Sequence, residues 1–218
     1  MDLEKSIIKK PLCFDIGANV GCWSLANIDY FDKIIAIEAS PYIYTELYKK
    51  NSDKIITLNY AVCNNNCNDV KFYHCITQHP ISTLNEDWLT NPKSRFYNER
   101  DNIVEIICKT ITIDKLLEIY GKPDFIKVDV ECAEYECISS LNTKVDILCF
   151  EWTSEYNELS FKCLDYLENL GYTKFYIQDT DNYTFRPPEN EFILSSLDAK
   201  ELLSTKIIKS DWGMIWCK

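Results

Sequence analysis

The sequence predicts an α/β protein with a doubly wound, mostly parallel sheet of seven strands that ends in an antiparallel C-terminal hairpin. Apolar strand segments alternate with helical segments through the first part of the chain, which is typical of a parallel sheet covered by helices on both faces. A loop that contains two of the five glycines joins the first strand to the first helix. Two apolar segments near the C-terminus supply the hairpin.

Each predicted element has a local signal. Short apolar runs between turn residues indicate strands, and a polar cap before a longer run indicates a helix. Ser40 and Pro41 are suited to begin a helix, whereas Gly121 and Gly171 follow the ends of two others. The predicted strands are 12–16, 33–38, 55–59, 70–75, 103–110, 125–130, 146–152, 172–178 and 212–217, and the predicted helices are 20–28, 40–51, 113–120, 133–141 and 158–170.

One long segment, 77–102, does not follow this alternation. It is polar and aromatic, contains Pro80, Trp88 and Pro92, and has no sustained periodicity. It is longer than a passive connection in a compact domain usually is. Such a segment is commonly a lid or a binding loop, and a simple surface excursion is the alternative. We therefore expect a single domain over residues 1–218 with an insertion or lid at about 77–102.

Composition argues against several classes of protein. A formal net charge of −11 and no basic patch disfavour nucleic acid as a partner. No apolar run approaches the roughly 20 residues that a membrane span requires, so no membrane association is expected. The eleven cysteines are odd in number and follow no secretory leader, which favours reduced thiols and a cytoplasmic protein. Cys63 and Cys67 lack a second pair at zinc spacing, so no zinc site is predicted.

The loop after the first strand predicts a nucleoside site. In an open parallel sheet, ligands bind beyond the carboxyl ends of the strands, where the strand order switches. Gly17 permits the tight turn there, and Gly21 permits close packing of helix on strand. Glu38 ends the next strand, where an acidic side chain can accept hydrogen bonds from both ribose hydroxyls.

Two residues favour S-adenosylmethionine (SAM) over a dinucleotide. Asn19 stands at the middle glycine position of the dinucleotide pattern, which shortens it to Gly-x-Asn-x-Gly. Asp15 places a carboxylate at the strand tip, where it suits the ammonium group of a methionine moiety better than a pyrophosphate. The alternative is that both side chains only satisfy amides of the turn.

Four motifs together resemble the FkbM family of SAM-dependent methyltransferases, whose fold is that of the class I, Rossmann-like methyltransferases. They are DIGANVG at 15–21, IEASP at 37–41, TITIDKLL at 110–117 and IKVDVECAE at 126–134. The resemblance implies an O-methyltransferase that acts on hydroxyls of sugars or other natural products, with SAM as cofactor and S-adenosylhomocysteine as product. The family usually has glycine where this chain has Cys132, which puts the local turn in question.

The resemblance also implies roles for single residues. The loop 17–21 would line the methionine part of SAM, Glu38 would hold the ribose, and the segment 61–62 would lie near the adenine. The residues expected to bind the cofactor are Asp15, Gly17, Ala18, Asn19, Gly21, Glu38, Ala39, Ser40, Ala61, Val62 and Asp129.

The end of the fourth core strand supplies candidates for catalysis. The two-residue period of a strand predicts that Lys127, Asp129 and Glu131 project to one side, at the mouth of the site. Asp129 would act as base or positioning group with Lys127 tuning its charge, although a buried ion pair is the alternative. His79, in the long segment, is a further candidate proton acceptor, whereas His74 is expected to be structural. Asp129 and Glu151 are weak candidates for a divalent metal, which is not favoured because a clear third ligand is absent.

The predicted function is therefore methyl transfer from SAM to a hydroxyl of a sugar, a glycan or another small acceptor. Two alternatives remain: a nicotinamide-dependent oxidoreductase, and a SAM-binding module without catalytic activity. Asn19 argues against the oxidoreductase, and only a turnover assay distinguishes an inactive SAM-binding module from an active methyltransferase.

Overall fold

A seven-stranded sheet forms the centre of the computed structural model, which describes residues 10–64, 69–188, 190–208 and 210–218. The strands of the chain are β1 Lys10–Ile16, β2 Phe31–Glu38, β3 Ile55–Asn59, β4 Ala61–Val62, β5 Asp69–Cys75, β6 Ile103–Ile111, β7 Phe125–Val128, β8 Ile147–Thr153, β9 Phe175–Asp179 and β10 Trp212–Cys217. The strand order of the large sheet is β3-β2-β1-β7-β8-β10-β9, and β10 runs in the opposite direction to the other six strands. The predicted doubly wound sheet with an antiparallel C-terminal hairpin is confirmed.

Seven α-helices are found in the described part of the chain. None of them combines the length and the apolar character that crossing a bilayer demands. Two were not predicted: α3, inside the segment 77–102, and α7, between the last two strands. The helices are α1 Cys22–Ala26, α2 Pro41–Tyr48, α3 Glu86–Thr90, α4 Ile113–Tyr120, α5 Glu134–Ile138, α6 Asn157–Asn169 and α7 Ser196–Ser204.

The side chains of the central strands alternate between two cores, one on each face of the sheet. Phe14, Ile126 and Phe150 belong to the core that helices α4 to α7 cover. Phe125 belongs to the other core, where Trp23 of α1 and Leu47 of α2 pack. Each fully buried side chain of this size stabilises the fold by about 1.5–3 kcal/mol relative to an exposed one. The two cores fix the carboxyl ends of β1, β2, β7 and β8 along one edge.

The segment 77–102 is folded onto this edge. It consists of a 3-10 helix at His79–Ile81, α3, and a second 3-10 helix at Tyr97–Asn102. Trp88 and Leu89 are almost fully buried and pack with Tyr156, beyond β8. A second, smaller sheet in the order β4-β6-β5 flanks the segment. The residues 77–102 are therefore a packed part of the molecule and form one wall of the edge described next.

Candidate functional site

The loop between β1 and α1 is held in a conformation that requires glycine. Gly17, Asn19 and Gly21 all have positive φ, at 79°, 50° and 86°. A Cβ atom on Gly17 would lie 1.8 Å from the backbone oxygen of Asp129, so the loop and the end of β7 are in direct backbone contact. The amides of Gly17 and Ala18 both donate to the carbonyl of Ile37, which ties the loop to β2.

Glu38 lies at the end of β2 with a carboxylate that already accepts two backbone hydrogen bonds. Its Oε2 accepts from the amide of Asn19 at 3.1 Å, and its Oε1 accepts from the amide of Ser40 at 2.8 Å. The side chain is 6% exposed. Burial raises the pKa of Glu38 to about 7, against the lowering effect of these amides. Each oxygen keeps a further lone pair for a hydroxyl donor.

Asp15 lies below the surface and lines neither of the two pockets described below. It is fully buried, its Oδ2 accepts from the Ser24 hydroxyl at 2.6 Å, and its Oδ1 has no hydrogen-bond partner among the described residues. Asp15 and Lys127 are neighbours across β1 and β7, so their side chains share one face of the sheet. Burial raises the pKa of Asp15, and the charge of Lys127 opposes that rise.

A first pocket opens between the β1 loop, the end of β2 and the segment 77–102. Of the residues expected to bind a cofactor, Asp15, Ala18, Gly21 and Ser40 do not line this pocket. Those that line it are Gly17, Asn19, Glu38, Ala39, Ala61, Val62 and Asp129. Two further lining residues, His79 and Glu131, were predicted at the site in other roles. The remaining walls, which the sequence did not predict, are Ile16, Ile37, Ile43, Tyr60, Phe72, Pro80, Ser82, Leu84 and Val130.

The turn after β7 brings charged side chains together. They do not alternate along one strand as predicted, because the strand ends before Asp129. β7 ends at Val128, and the next residues turn so that Glu131 and Cys132 have φ of 57° and 67°. Lys127 Nζ donates to Asp129 Oδ2 at 2.7 Å, and Lys127 is 4% exposed. Burial lowers the pKa of this amine, but Asp129 and Asp15 outweigh that effect and raise it, so the lysine stays charged.

A second pocket adjoins the first. Asp129, Glu131 and Pro80 line both pockets, so they form the boundary between them. The second pocket has aromatic walls and two further charged groups, Arg95 and Glu151. Its lining residues are Pro80, Ile81, Trp88, Arg95, Phe96, Asp129, Glu131, Glu151, Thr153, Tyr183 and Trp212.

Three carboxylates converge at this boundary. Oxygen atoms of Asp129, Glu131 and Glu151 lie within 4.8 Å of one another, so Glu131 is the third oxygen ligand that the sequence did not supply. Oxygen ligands suit Mg²⁺, Ca²⁺ or Mn²⁺, but proximity of carboxylates alone does not identify a metal site. Burial, reinforced by the neighbouring carboxylates, raises the pKa of Glu131 and of Glu151.

The two histidines have different surroundings. His79 is exposed and lines the first pocket; the second pocket is lined by its neighbours Pro80 and Ile81. His74 is buried, and its Nδ1 lies 3.2 Å from the Ser40 hydroxyl and 3.3 Å from the Ser82 hydroxyl, in the structural setting expected for it. Burial lowers the pKa of His74.

The cysteines do not form a metal site or a disulfide among the described residues. No two of the described cysteines are joined in a disulfide, and all of the described cysteines but Cys22 are buried. Cys67, the second member of the Cys63–Cys67 pair, lies outside the described residues. Cys132 occupies the left-handed conformation that favours glycine, which explains why glycine suits that position.

Several residues of the second pocket had no signal in the sequence. Arg95 is a lone basic residue in an irregular segment, and Tyr183 and Trp212 come from a loop and a strand far along the chain. Asn27 holds the loop of Tyr183 in place, because its side-chain amide donates to the Tyr183 carbonyl at 3.0 Å. Such long-range arrangements depend on tertiary structure rather than on local pattern.

The strand order, the glycine loop on β1 and the acidic residue on β2 are those of a Rossmann-like fold whose first strand ends at a site suited to a nucleoside. The profile of the family described as "Methyltransferase FkbM domain" matches residues 15–174, most of the chain, so the chain belongs to the FkbM methyltransferase family. The resemblance in the four sequence motifs is thereby confirmed. No match to a curated protein sequence is significant.

Two solved structures resemble this chain. An FkbM methyltransferase of Methylobacillus flagellatus is 13% identical with a TM-score of 0.51, and the alignment covers 96% of this chain but only 44% of that protein. This chain thus spans less than half the length of that structure. A precorrin-6y C5,15-methyltransferase of Geobacter metallireducens is 11% identical with a TM-score of 0.46, over 98% of this chain and 83% of that one.

Proposed function

We propose that this protein is a SAM-dependent O-methyltransferase that modifies a hydroxyl of a sugar, a glycan or another small acceptor. The observation that carries the proposal is the pair of adjoining pockets that meet at Asp129. The first has the acidic residue and the glycine loop that suit an adenosyl group with a methionine tail. The second offers carboxylates and aromatic rings, which suit a hydroxylated acceptor.

The residues of the first pocket fit SAM by their chemistry. Glu38 would hold the ribose hydroxyls, and the side chains of Tyr60, Phe72 and Leu84 suit the faces of an adenine ring. Asp15 lies beside Lys127 and keeps its Oδ1 without a hydrogen-bond partner among the described residues, so it would act on a cationic group in the pocket only through its field. When bound, SAM supplies a methyl group on a positively charged sulfur.

The chain's own residues then orient the acceptor and take its proton. Asp129 lies on the boundary of the two pockets, where its carboxylate can accept a hydrogen bond from an acceptor hydroxyl and align the oxygen for in-line displacement. Lys127 holds Asp129 in place through the 2.7 Å hydrogen bond and stabilises its charge. The hydroxyl proton would pass to a carboxylate at this boundary or to water as the new carbon–oxygen bond replaces the methyl–sulfur bond, with S-adenosylhomocysteine as the leaving group.

The expected partner is a small-molecule or glycan acceptor, and a cytoplasmic location without nucleic acid or membrane partners stays a prediction. The single domain over 1–218 with a lid at 77–102 is likewise part of the proposal. In support of the lid, His79 and Pro80 line the first pocket, while Trp88 and Arg95 line the second.

The decisive experiment combines binding with turnover. Calorimetry should detect binding of SAM and S-adenosylhomocysteine and none of NAD. Release of S-adenosylhomocysteine is then followed with a panel of neutral sugars, amino sugars, uronic acids, sugar phosphates and phenols. Binding of NAD alone would revive the oxidoreductase alternative, and SAM binding without turnover on any hydroxyl acceptor would favour the inactive module.

Substitution of Asp129 is expected to lower turnover without weakening cofactor binding. Asp129→Asn keeps the shape of the side chain but removes the charge, so we expect the rate to fall by about 100-fold or more. The dissociation constant of S-adenosylhomocysteine should change much less. Unchanged turnover in this variant would remove Asp129 from the mechanism.

A further inference from the structure

The ion pair of Arg95 and Glu155 joins the segment 77–102 to the end of β8. Arg95 Nε donates to Glu155 Oε1 at 2.7 Å, and its Nη2 donates to Glu155 Oε2 at 2.5 Å. The side chain of Glu155 is 3% exposed and that of Arg95 is 18% exposed. This bidentate geometry in a largely buried place is the strong form of an ion pair.

The same guanidinium also binds the loop that leads into β10. Its Nη1 donates to the Ser210 carbonyl at 3.1 Å, and its Nη2 donates to the Asp211 carbonyl at 3.1 Å and to the Thr153 hydroxyl at 2.5 Å. One side chain therefore fixes three stretches of chain that contribute to the second pocket. The planar fork of arginine can make these contacts together, whereas a lysine cannot.

Arg95 also supports the aromatic wall of the second pocket. Its guanidinium carbon lies 5.8 Å from the ring centroid of Trp88 and 6.0 Å from that of Phe96. Trp88 in turn donates from Nε1 to Glu131 Oε2 at 3.0 Å. Movement of Arg95 would thus disturb the wall and one of the carboxylates at the boundary.

The charges around the second pocket are unevenly balanced. Arg95 is the one basic side chain among the described residues that line this pocket, and its guanidinium is already paired with Glu155. Lys127 is paired with Asp129 behind the pocket. Glu131 and Glu151 have no ion pair with a described residue. An anionic acceptor would therefore find no free cation among the described residues that line this pocket.

We infer that the Arg95–Glu155 pair determines acceptor specificity: it holds the wall of the second pocket and masks its basic group, so that uncharged or cationic hydroxyl acceptors are selected over anionic ones. The inference rests on the proposed function. Arg95 acts here as a positioning residue, and Glu155 masks the positive charge of Arg95 from the acceptor.

The specificity is tested with acceptors that differ in charge on one ring. Glucose, glucosamine and glucuronate are compared by their kcat/KM for methyl transfer, alongside the best acceptor of the panel and its acidic analogue. The wild type should disfavour the anionic member by at least about tenfold. Glu155→Gln should reduce that discrimination by about tenfold, because it unmasks the guanidinium. Glu105→Gln, which changes an exposed carboxylate on β6, is the matched control and should leave the ratio unchanged.

The positioning role is tested with Arg95→Lys and Arg95→Gln. Both should raise the acceptor KM by about tenfold or more while kcat and the dissociation constant of S-adenosylhomocysteine change less than about threefold. Amide hydrogen exchange with S-adenosylhomocysteine bound should become faster at 86–102 and at 210–213 in both variants. Full rescue by lysine would contradict a role for the planar fork.

Besides full rescue by lysine, three outcomes would overturn a part of the inference, and a further one concerns the proposed function itself. Equal or better use of anionic acceptors by the wild type, or unchanged discrimination in Glu155→Gln, would refute the specificity role. An unaltered KM and unaltered exchange in Arg95→Gln would refute the positioning role. Absence of turnover by the wild type on every acceptor would instead refute the proposed function, and the acceptor specificity with it.

Discussion

Glu38 combines two demands on one carboxyl group. It must accept hydrogen bonds from two backbone amides, which favours the ionised form, and it is buried, which favours the protonated form. Burial prevails and raises its pKa to about 7. The ionised group is the one that can accept from ribose hydroxyls with both oxygens, so nucleoside binding should depend on pH.

We expect the affinity for S-adenosylhomocysteine to rise by about tenfold between pH 6 and pH 8, because Glu38 loses its proton over this range. Glu38→Gln should bind more weakly at pH 8 and show a nearly flat profile. Calorimetry at four or five pH values measures both. The same pH dependence in Glu38→Gln would assign it to another group.

Cys132 tests the cost of a left-handed backbone at a residue with a side chain. Its φ of 67° favours glycine, although its buried thiol packs with Trp88 and Tyr156. We compare Cys132→Gly with Cys132→Ala, since both lose the thiol but only alanine keeps the Cβ atom. The glycine variant should be more stable by about 1 kcal/mol, which reverses the usual order of these residues. Urea denaturation measures the difference, and a more stable alanine variant would contradict it.

The regular elements were predictable wherever the local pattern was strong. The core strands of the large sheet are short apolar runs, and each was predicted within a few residues, because burial on both faces leaves little room for polar side chains. α3 was missed because it is short and polar, with few apolar positions to reveal a period, whereas α7 has nine residues and was not predicted although a capping box begins it. β7 was predicted to extend to residue 130 but ends at Val128, since the turn at 131–132 has positive φ.

The two pockets differ in how much of them the sequence could predict. The first is built from residues next to the glycine loop and the strand ends, so motifs identified Gly17, Asn19 and Glu38. The second depends on Arg95 and Tyr183, which tertiary contacts bring together from irregular segments. No local period marks such residues, and only their packing shows that they share a pocket.

The N-terminus of α7 carries a complete capping box that the sequence analysis overlooked. The Ser195 hydroxyl accepts from the Asp198 amide at 3.1 Å, and Asp198 Oδ2 accepts from the Ser195 amide at 3.1 Å. Ser195→Ala should lower the free energy of unfolding by about 1 kcal/mol. Ser204→Ala, at the other end of the helix, is the control and should change it by less than about 0.5 kcal/mol. Equal losses in the two variants would contradict a capping role.

Across the whole molecule, buried carboxyl groups should make stability fall as pH rises. Burial raises the pKa of Glu38 to about 7 and that of Glu134 to about 8. The folded state therefore binds more protons than the unfolded state above the ordinary carboxyl pKa, and the free energy of unfolding decreases as pH rises from about 5 to 8. Urea denaturation at pH 5.5 and pH 8 should show a loss of about 1 kcal/mol or more.

Glu134→Gln provides the matched comparison for this effect. Glu134 is 6% exposed, and its Oε1 accepts from the Val130 amide at 3.0 Å, a bond that the glutamine oxygen can keep. The variant should be less sensitive to pH than the wild type over the same interval. A wild-type protein that becomes more stable toward pH 8 would show that groups with lowered pKa dominate instead.

The segment 77–102 contributes walls to both pockets, and this has a thermodynamic consequence. The segment is already packed, and a ligand in either pocket that contacts it would restrict its remaining side-chain motion, so a second ligand loses less conformational entropy on binding. SAM and the acceptor should therefore bind with positive cooperativity. By reciprocity, the acceptor must strengthen SAM binding by the same factor with which SAM strengthens acceptor binding.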